Sequence, residues 1–294
     1  MNKPNFFILG APKCGTTSMA KWLSEHPEIF MSTTKEPHYY NTDHIHRLTQ
    51  DYQHYLSFFA KATSAHKIIG EASVWYLFSK EAVPNILADL KNDNLKFLVM
   101  VRNPVQMAYS LHQEHVWAIN EPVKNFRDAW NLQSQRKEGK EIGLFTEDVS
   151  LLLYGETCKL GEQLNRLYNT VGKNAVHVVL LDDLKENPEQ EYKNVLNFLN
   201  LSYDGRKKFT AQNERKSTKS DNIAKLLRVL GLVRQKLNMR KGLGILTKVK
   251  TINTSKQTTE KLDPEFENEL KNYFRNDILL LSSLINRDLS HWLK

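Results

Sequence analysis

The sequence predicts an α/β protein in three layers, with a central, mainly parallel sheet flanked by helices. Three observations predict it. Continuous apolar runs at Phe6–Leu9, Lys96–Val101 and Ala175–Leu181 have the length and the lack of alternation of strands covered on both faces. Helical patterns separate these runs, and strands alternating with helices favour a doubly wound parallel sheet. The first run ends in the turn Gly10-Ala11-Pro12-Lys13-Cys14-Gly15-Thr16-Thr17-Ser18, which opens onto a helix and aims backbone N–H groups at an anion. That turn makes the expected fold P-loop-like.

The remaining elements follow in order. Thr17–His26, Glu81–Leu90, Val105–Trp117 and Glu156–Val171 read as helices, the last with Leu160, Leu164 and Leu167 at helical spacing. Lys67–Glu71 is a fourth, weaker strand. Ligands of such sheets sit beyond the C-terminal strand ends, so Gly10–Ser18, Glu71-Ala72-Ser73 and Arg102-Asn103-Pro104 are expected at one edge. Asp182-Asp183 follows the last strand and is read as a turn cap without a chemical role. From Arg206 to Thr259 the pattern weakens: Leu226–Leu237 is an amphipathic helix candidate, and Gly242-Leu243-Gly244 with the Thr/Ser/Lys-rich stretch after Lys250 reads as either a lid over substrate or a tolerated insertion. A closing helix is expected over Pro264–Leu284, with Leu270, Phe274 and Leu281 on its apolar face and Trp292 as a packing anchor.

Composition bounds the function classes. The 294 residues, 40% of them hydrophobic, suffice for one sizeable core, and a single domain over residues 1–294 with a lid or insertion around 206–259 is expected. Two cysteines, Cys14 and Cys158, exclude a disulfide scaffold or a Cys-rich zinc site. A formal charge of +8 suits nucleic acid, an acidic membrane or a small polyanion. The basic stretch Arg206–Lys256 has neither a Cys/His finger nor an aromatic-and-basic stripe, which weighs against nucleic acid. With no leader-like segment and no apolar stretch long enough to span a bilayer, the expectation is a soluble cytoplasmic protein without stable membrane insertion. The oligomeric state is not legible.

The loop itself narrows the chemistry. A nucleotide triphosphatase loop reads G-x-x-x-x-G-K-[ST]. Gly10 and Gly15 keep that spacing, but Thr16 stands where the lysine belongs and the lysine is Lys13, inside the turn. The loop suits phosphate while lacking the β/γ-phosphate grip of a kinase, so a P-loop kinase or triphosphatase is the alternative reading rather than the leading one.

Together the loop, the arginine after a strand and the C-terminal pattern resemble the sulfotransferases that use 3′-phosphoadenosine 5′-phosphosulfate (PAPS), in the style of their bacterial and carbohydrate, heparan-type members. The likeness covers nearly the whole chain. It implies that the loop Lys13-Cys14-Gly15-Thr16-Thr17-Ser18 embraces the 5′-phosphosulfate, with Lys13 on the 5′-phosphate and the bridging oxygen. Arg102-Asn103-Pro104 with Ser110 eight residues after the arginine matches the R-x-P…S element that binds the 3′-phosphate, and an arginine fork with a hydroxyl suits that group. Tyr154, in Leu153-Tyr154-Gly155, matches a tyrosine near the adenine or the 3′-phosphate, with a packed core aromatic as the even alternative. The released product is 3′,5′-adenosine bisphosphate (PAP).

Sulfuryl transfer needs cationic donors at the leaving phosphate and a base for the acceptor proton. Lys13 is the leading electrostatic catalyst, and lysine with backbone donors makes a metal unnecessary. The segment Lys35-Glu36-Pro37-His38-Tyr39-Tyr40 resembles the K-E-x-x-[FY]-F segment of carbohydrate O-sulfotransferases, whose glutamate takes the acceptor proton. Glu36 is therefore the expected base, Lys35 an accessory cation and His38 the competing base. One departure stands out: Glu71-Ala72-Ser73 places Ala72 where heparan-type members have a catalytic lysine, which keeps a degenerate nucleotide binder among the alternatives. The resemblance implies a hydroxyl acceptor before an amine, in a small molecule, glycan or glycolipid.

Overall fold

The structure of the chain is a computed structural model and describes residues 2–44, 47–92, 94–210, 216–218, 220–236, 249, 251, 253–256 and 262–294. Two compact units are distinguished, Met1–Met107 with Cys158–Asn213 and Leu270–Lys294, and Ala108–Thr157 with Glu214–Glu269.

The first unit is built on a five-stranded sheet of β1 (Phe6–Gly10), β2 (Ile29–Met31), β3 (Ile68–Ala72), β4 (Lys96–Val101) and β5 (Val176–Leu180), in the order β2-β3-β1-β4-β5. Every pairing in it is parallel. The expected α/β architecture with a parallel sheet flanked by helices is the one found. Phe6 through Leu9 and Leu98 through Val101 have no solvent exposure, because a strand in the middle of a parallel sheet is covered on both faces. β2 was not anticipated. At three residues on the sheet edge it is too short to carry a periodic signal.

Helices α1 (Thr16–Leu23), α2 (Tyr52–Ser57), α3 (Ala82–Leu90), α8 (Leu160–Val171), α9 (Leu181–Glu186) and α10 (Pro188–Phe198) belong to the same unit. Their starts follow local chemistry: Asp51 accepts the N–H of His54 at 2.6 Å, and Asn187 accepts that of Gln190 at 3.1 Å ahead of Pro188 in the first turn. The helix expected over Glu156–Val171 is interrupted, α7 (Tyr154–Thr157) giving way to α8 at Leu160. The reason is a distant cap. Asp277, on the closing helix Pro264–Ile285, accepts the N–H groups of Gly161 at 3.0 Å and Glu162 at 2.8 Å, so α8 starts where that carboxylate meets it. The closing helix buries Leu270, Phe274, Ile278 and Leu281, the expected apolar face. Trp292 is buried and donates its indole N–H to Asp182 at 3.1 Å, while Asp183 takes a two-bond grip from Arg287 at 2.9 Å each. Both acidic residues after β5 are thus tied to the C-terminal segment, beyond the turn-capping expected of them.

The second unit contains most of α4 (Pro104–Trp117), α5 (Phe126–Asn131), α6 (Gln133–Lys137), α7, α11 (Asp221–Lys236), and an antiparallel pair, β6 (Lys216–Thr218) with β7 (Thr254–Lys256). Its centre is the ring of Phe126, 5.1–5.7 Å from those of Tyr109, His112, Tyr154 and Phe266. The amphipathic helix expected over 226–237 is found within α11 up to Lys236. Gly242-Leu243-Gly244 lies outside the described residues. Among the described residues, no helix is long and apolar enough to cross a membrane.

Gly161 gives a direct test of the α8 junction. A β-carbon there would stand 2.4 Å from the Asp277 carbonyl oxygen, too close for atoms in contact. In an open helix Gly→Ala stabilises by about 1 kcal/mol; here Gly161→Ala is expected to destabilise the protein by about 1–3 kcal/mol through overpacking, read from urea unfolding midpoints.

Candidate anion loop and proton acceptor

A parallel sheet sends every strand's carboxyl end to one edge, and the first unit gathers its chemistry there. After β1 the chain makes the turn Gly10–Gly15 and enters α1. Gly10 has φ 137° and a β-carbon on it would meet the Val74 carbonyl oxygen at 2.4 Å; Gly15 has φ 89° and caps α1. Both positions need glycine, the first for a close backbone approach and both for positive φ. The N-cap of α1 is Gly15, which has no side chain to cap the helix, and no residue of the first turn is acidic. The start of the helix therefore presents backbone N–H groups and the positive end of its dipole, an arrangement that favours an anion.

Lys13 lies inside the turn with φ 62°, in the left-handed region. The carbonyl oxygen of Lys13 accepts a 3.0 Å hydrogen bond from Nη1 of Arg102, whose Nη2 donates to Gln106 at 3.3 Å. Arg102 immediately follows β4, is only 7% exposed, and precedes Asn103, which caps α4 by accepting the N–H of Val105 at 2.9 Å. One guanidinium thus stabilises the backbone of the turn and brings a second cation to it. Thr16 and Ser18 are buried at the start of α1. Cys14 faces the core, its thiol on the Pro12 carbonyl at 3.4 Å; burial pushes that thiol up to about 12 against the pull of Arg102 and Lys13. The sulfur is a filler of the core.

The segment after β2 supplies the second part. Its Glu36 N–H donates to the Ala72 carbonyl at 3.0 Å, which brings Glu36 to the C-terminal end of β3. Glu36 and His38 have φ 58° and 49°, sparsely populated for side-chain-bearing residues and concentrated where function demands them. The Lys35 ammonium sits in close contact with the Glu36 carboxylate, and His38 Nε2 is 3.7 Å from its other oxygen. Burial raises the Glu36 pKa, but the neighbouring His38 imidazole and the Lys35 ammonium outweigh it and hold the carboxyl at about 2. Its side chain keeps 32% exposure. The structure therefore unites Lys35, Glu36 and His38 in one cluster, with Glu36 partly open and His38 fully buried.

Ser110 and Tyr154 belong to the second unit. Ser110 is buried on α4. Tyr154 has no exposure and donates its hydroxyl to Glu121 at 2.8 Å; Glu121 also takes both forks of the buried Arg136 at 2.7 Å. His112 is likewise engaged inside this unit, on the Val123 carbonyl at 2.9 Å, and burial lowers its pKa. Two residues matter that sequence reasoning left without this role. Tyr55 donates to Glu71 at 2.5 Å, and Ser73 links Glu71 to the His38 N–H. Glu71-Ala72-Ser73 was visible as a departure from the heparan-type pattern, but nothing in the sequence signals that Tyr55 would reach it.

The sulfotransferase domain family model matches residues 3–274. The membrane-associated sulfotransferase kil1 of Dictyostelium discoideum is 33% identical over 114 residues, 38% of this chain and 22% of that protein. Human carbohydrate sulfotransferase 15 is 31% identical over 147 residues, 36% of this chain and 26% of that one. The chain thus spans about a quarter of the length of these curated relatives. A crystal structure of a sulfotransferase from Alicyclobacillus acidocaldarius superposes over 100% of both chains with TM-score 0.73 and 25% identity.

The depressed Glu36 carboxyl fixes a sign for pH dependence. Its folded pKa lies below the ordinary glutamate value of 4.5, so its partners stabilise the fold above that value and the contribution is lost as pH falls from 4.5 towards 2. Glu36→Gln is expected to lose less stability than the parent chain across that window, read by denaturant titration at stepped pH. Parallel curves would deny the cluster.

Proposed function

Since this chain belongs to the sulfotransferase domain family, we propose that it transfers a sulfuryl group from PAPS to an acceptor hydroxyl, less readily to an amine, by in-line displacement. The observation that carries the reading is the glycine-capped turn into α1 that holds Lys13, its backbone tied to Arg102. The residues present suit the donor. Backbone N–H groups of Gly15, Thr16 and Thr17 with the hydroxyls of Thr16, Thr17 and Ser18 would take the 5′-phosphate, Lys13 the bridging oxygen, and Arg102 the 3′-phosphate. Ser110 and Tyr154 enter through the motif resemblance alone.

The transfer then needs two things from the chain. As the sulfur–oxygen bond to the 5′-phosphate breaks, its electron pair settles on the phosphate oxygen, and Lys13 with the helix N-terminus stabilises that charge. As the acceptor oxygen bonds sulfur, its proton passes to Glu36. A carboxylate with so low a pKa is a weak base, but it is ionised at neutral pH, and withdrawal of Lys35 towards the transferring sulfonate would raise its basicity. Lys35 and His38 are thus assigned to tuning Glu36, with His38 the second choice as base. A glycan or glycolipid acceptor is supported by the likeness of the Glu36 segment to carbohydrate enzymes and by the carbohydrate sulfotransferase among the relatives.

Two outcomes are expected. PAP without Mg²⁺ should raise the melting temperature, by about 2.7 kcal/mol of linkage at a hundredfold excess over Kd, and Mg-ATP should not; the reverse pattern would favour the kinase alternative. In assays with labelled sulfate donor across hydroxyl and amine acceptors, Glu36→Gln should cut kcat about 100-fold or more with PAP affinity kept, whereas Lys13→Ala should damage both. Unchanged turnover in Glu36→Gln would remove Glu36 as base.

A further inference from the structure

The carboxylate of Glu71 lies under the loop that carries Glu36 and His38, and the transfer chemistry above makes no use of it. It has no solvent exposure. Tyr55, from α2, donates its hydroxyl to Oε2 at 2.5 Å, and Ser73 donates to Oε1 at 2.7 Å. The same Ser73 oxygen accepts the backbone N–H of His38 at 3.1 Å. On either side, the Ala72 carbonyl takes the Glu36 N–H at 3.0 Å and the Tyr76 hydroxyl takes the Tyr40 N–H at 3.1 Å. Alternate amides of the loop, at 36, 38 and 40, are therefore held by the end of β3 and the turn after it.

That support opposes a cost. Two left-handed residues, Glu36 and His38, sit in one short stretch, and each such conformation costs on the order of 1–3 kcal/mol unless its surroundings impose it. A buried carboxylate is itself expensive, and an apolar residue at position 71 would pack more cheaply. What the carboxylate supplies is two acceptor oxygens that orient two hydroxyls at once, one of which is left with its lone pair aimed at His38.

We propose that Glu71 is a positioning residue for sulfuryl transfer: ionised, it aligns Ser73 and Tyr55 so that the His38 amide is clamped and Glu36 is presented to the acceptor. This rests on the transfer reading above. Protonated Glu71 must donate from one oxygen, so it no longer accepts from both Tyr55 and Ser73, and the clamp loosens. Burial lifts its pKa to about 6, against the hydrogen bonds of Tyr55, Ser73 and Tyr76, so the switch lies in a range where activity is measurable. The groups facing it are Tyr55 from α2, Ser73 and Tyr76 from the turn after β3, and Tyr40, whose charge raises no competing titration because burial and Asp89 hold its phenol far above neutrality. From the loop, His38 and Glu36 are the other titrating groups, with Lys35 beside them.

The test has one arm that needs no activity. In the full chain, hydrogen exchange of the His38 amide is expected to accelerate about tenfold or more in Glu71→Gln and in Ser73→Ala, with the amides of β1 and β4 unchanged. In the second arm, each variant should lower kcat about 10–100-fold, with KM for donor and PAP affinity within about threefold. The double variant should be no worse than the weaker single one, as for residues acting through one link. The parent's acid limb in kcat, near pH 6, should vanish in Glu71→Gln. Tyr55→Phe, which deletes one donor without touching the carboxylate, should move that limb to higher pH. Unaltered His38 exchange in Glu71→Gln, or an acid limb that stays in place in both Glu71→Gln and Tyr55→Phe, would overturn the proposal. If the parent chain transfers sulfate to no acceptor, the functional reading falls while the exchange arm still decides whether Glu71 holds the loop.

Discussion

The constraint on which the rest of the first unit depends is that a parallel sheet sends all its carboxyl ends to one edge. β1 and β4 are adjacent and parallel, so the turn after β1 and the arginine after β4 must emerge side by side, and a single guanidinium can reach the Lys13 carbonyl. β2 and β3 are parallel too, and the chain leaving β2 lands on the end of β3, where Ala72 receives Glu36. An antiparallel arrangement would have split these segments between opposite edges. The sheet therefore does more than fill a core: its direction assembles cations and a carboxylate from parts of the chain as far apart as Lys13 and Arg102.

Legibility followed the range of the forces involved. The strands could be read because burial on both faces leaves a continuous apolar run, and the helices because one face repeats every three to four residues. The meeting of Lys13 with Arg102 was readable because each follows a strand end within a few residues of its own motif. The start of α8 was not, since the cap that sets it comes from Asp277, more than a hundred positions away. Tyr55 escaped for the same reason: its stretch carries no element legible in the sequence, and only the packing of α2 brings its hydroxyl to Glu71. The Glu36 segment was legible as a motif, yet its left-handed backbone was not, because neither glutamate nor histidine favours that conformation by itself.

The second unit shows a different use of charge. Arg136 and Glu121 are fully buried and joined by two 2.7 Å bonds, with the Tyr154 hydroxyl on the same carboxylate. Desolvating such a pair is costly, and the compensation comes only if both forks and the remaining lone pairs are met. Here the Glu121 oxygens are met by short, directed bonds while the buried Arg136 Nε has no hydrogen-bond partner among the described residues, so the pair fixes the relation of α6 and α7 more than it adds stability. Tyr154 is accordingly oriented by its hydroxyl and packed by its ring, two constraints that a phenylalanine in its place would only half satisfy.

The buried thiol in the anion loop has a consequence for the conditions under which the loop can work. A cysteine between a lysine and near an arginine is, by composition, a candidate for attack by peroxides and electrophiles, which react with thiolates. Burial reverses that expectation: Cys14 is sealed against Pro12 and Met107 and remains protonated at neutral pH. The turn is thereby shielded from oxidants that require a thiolate.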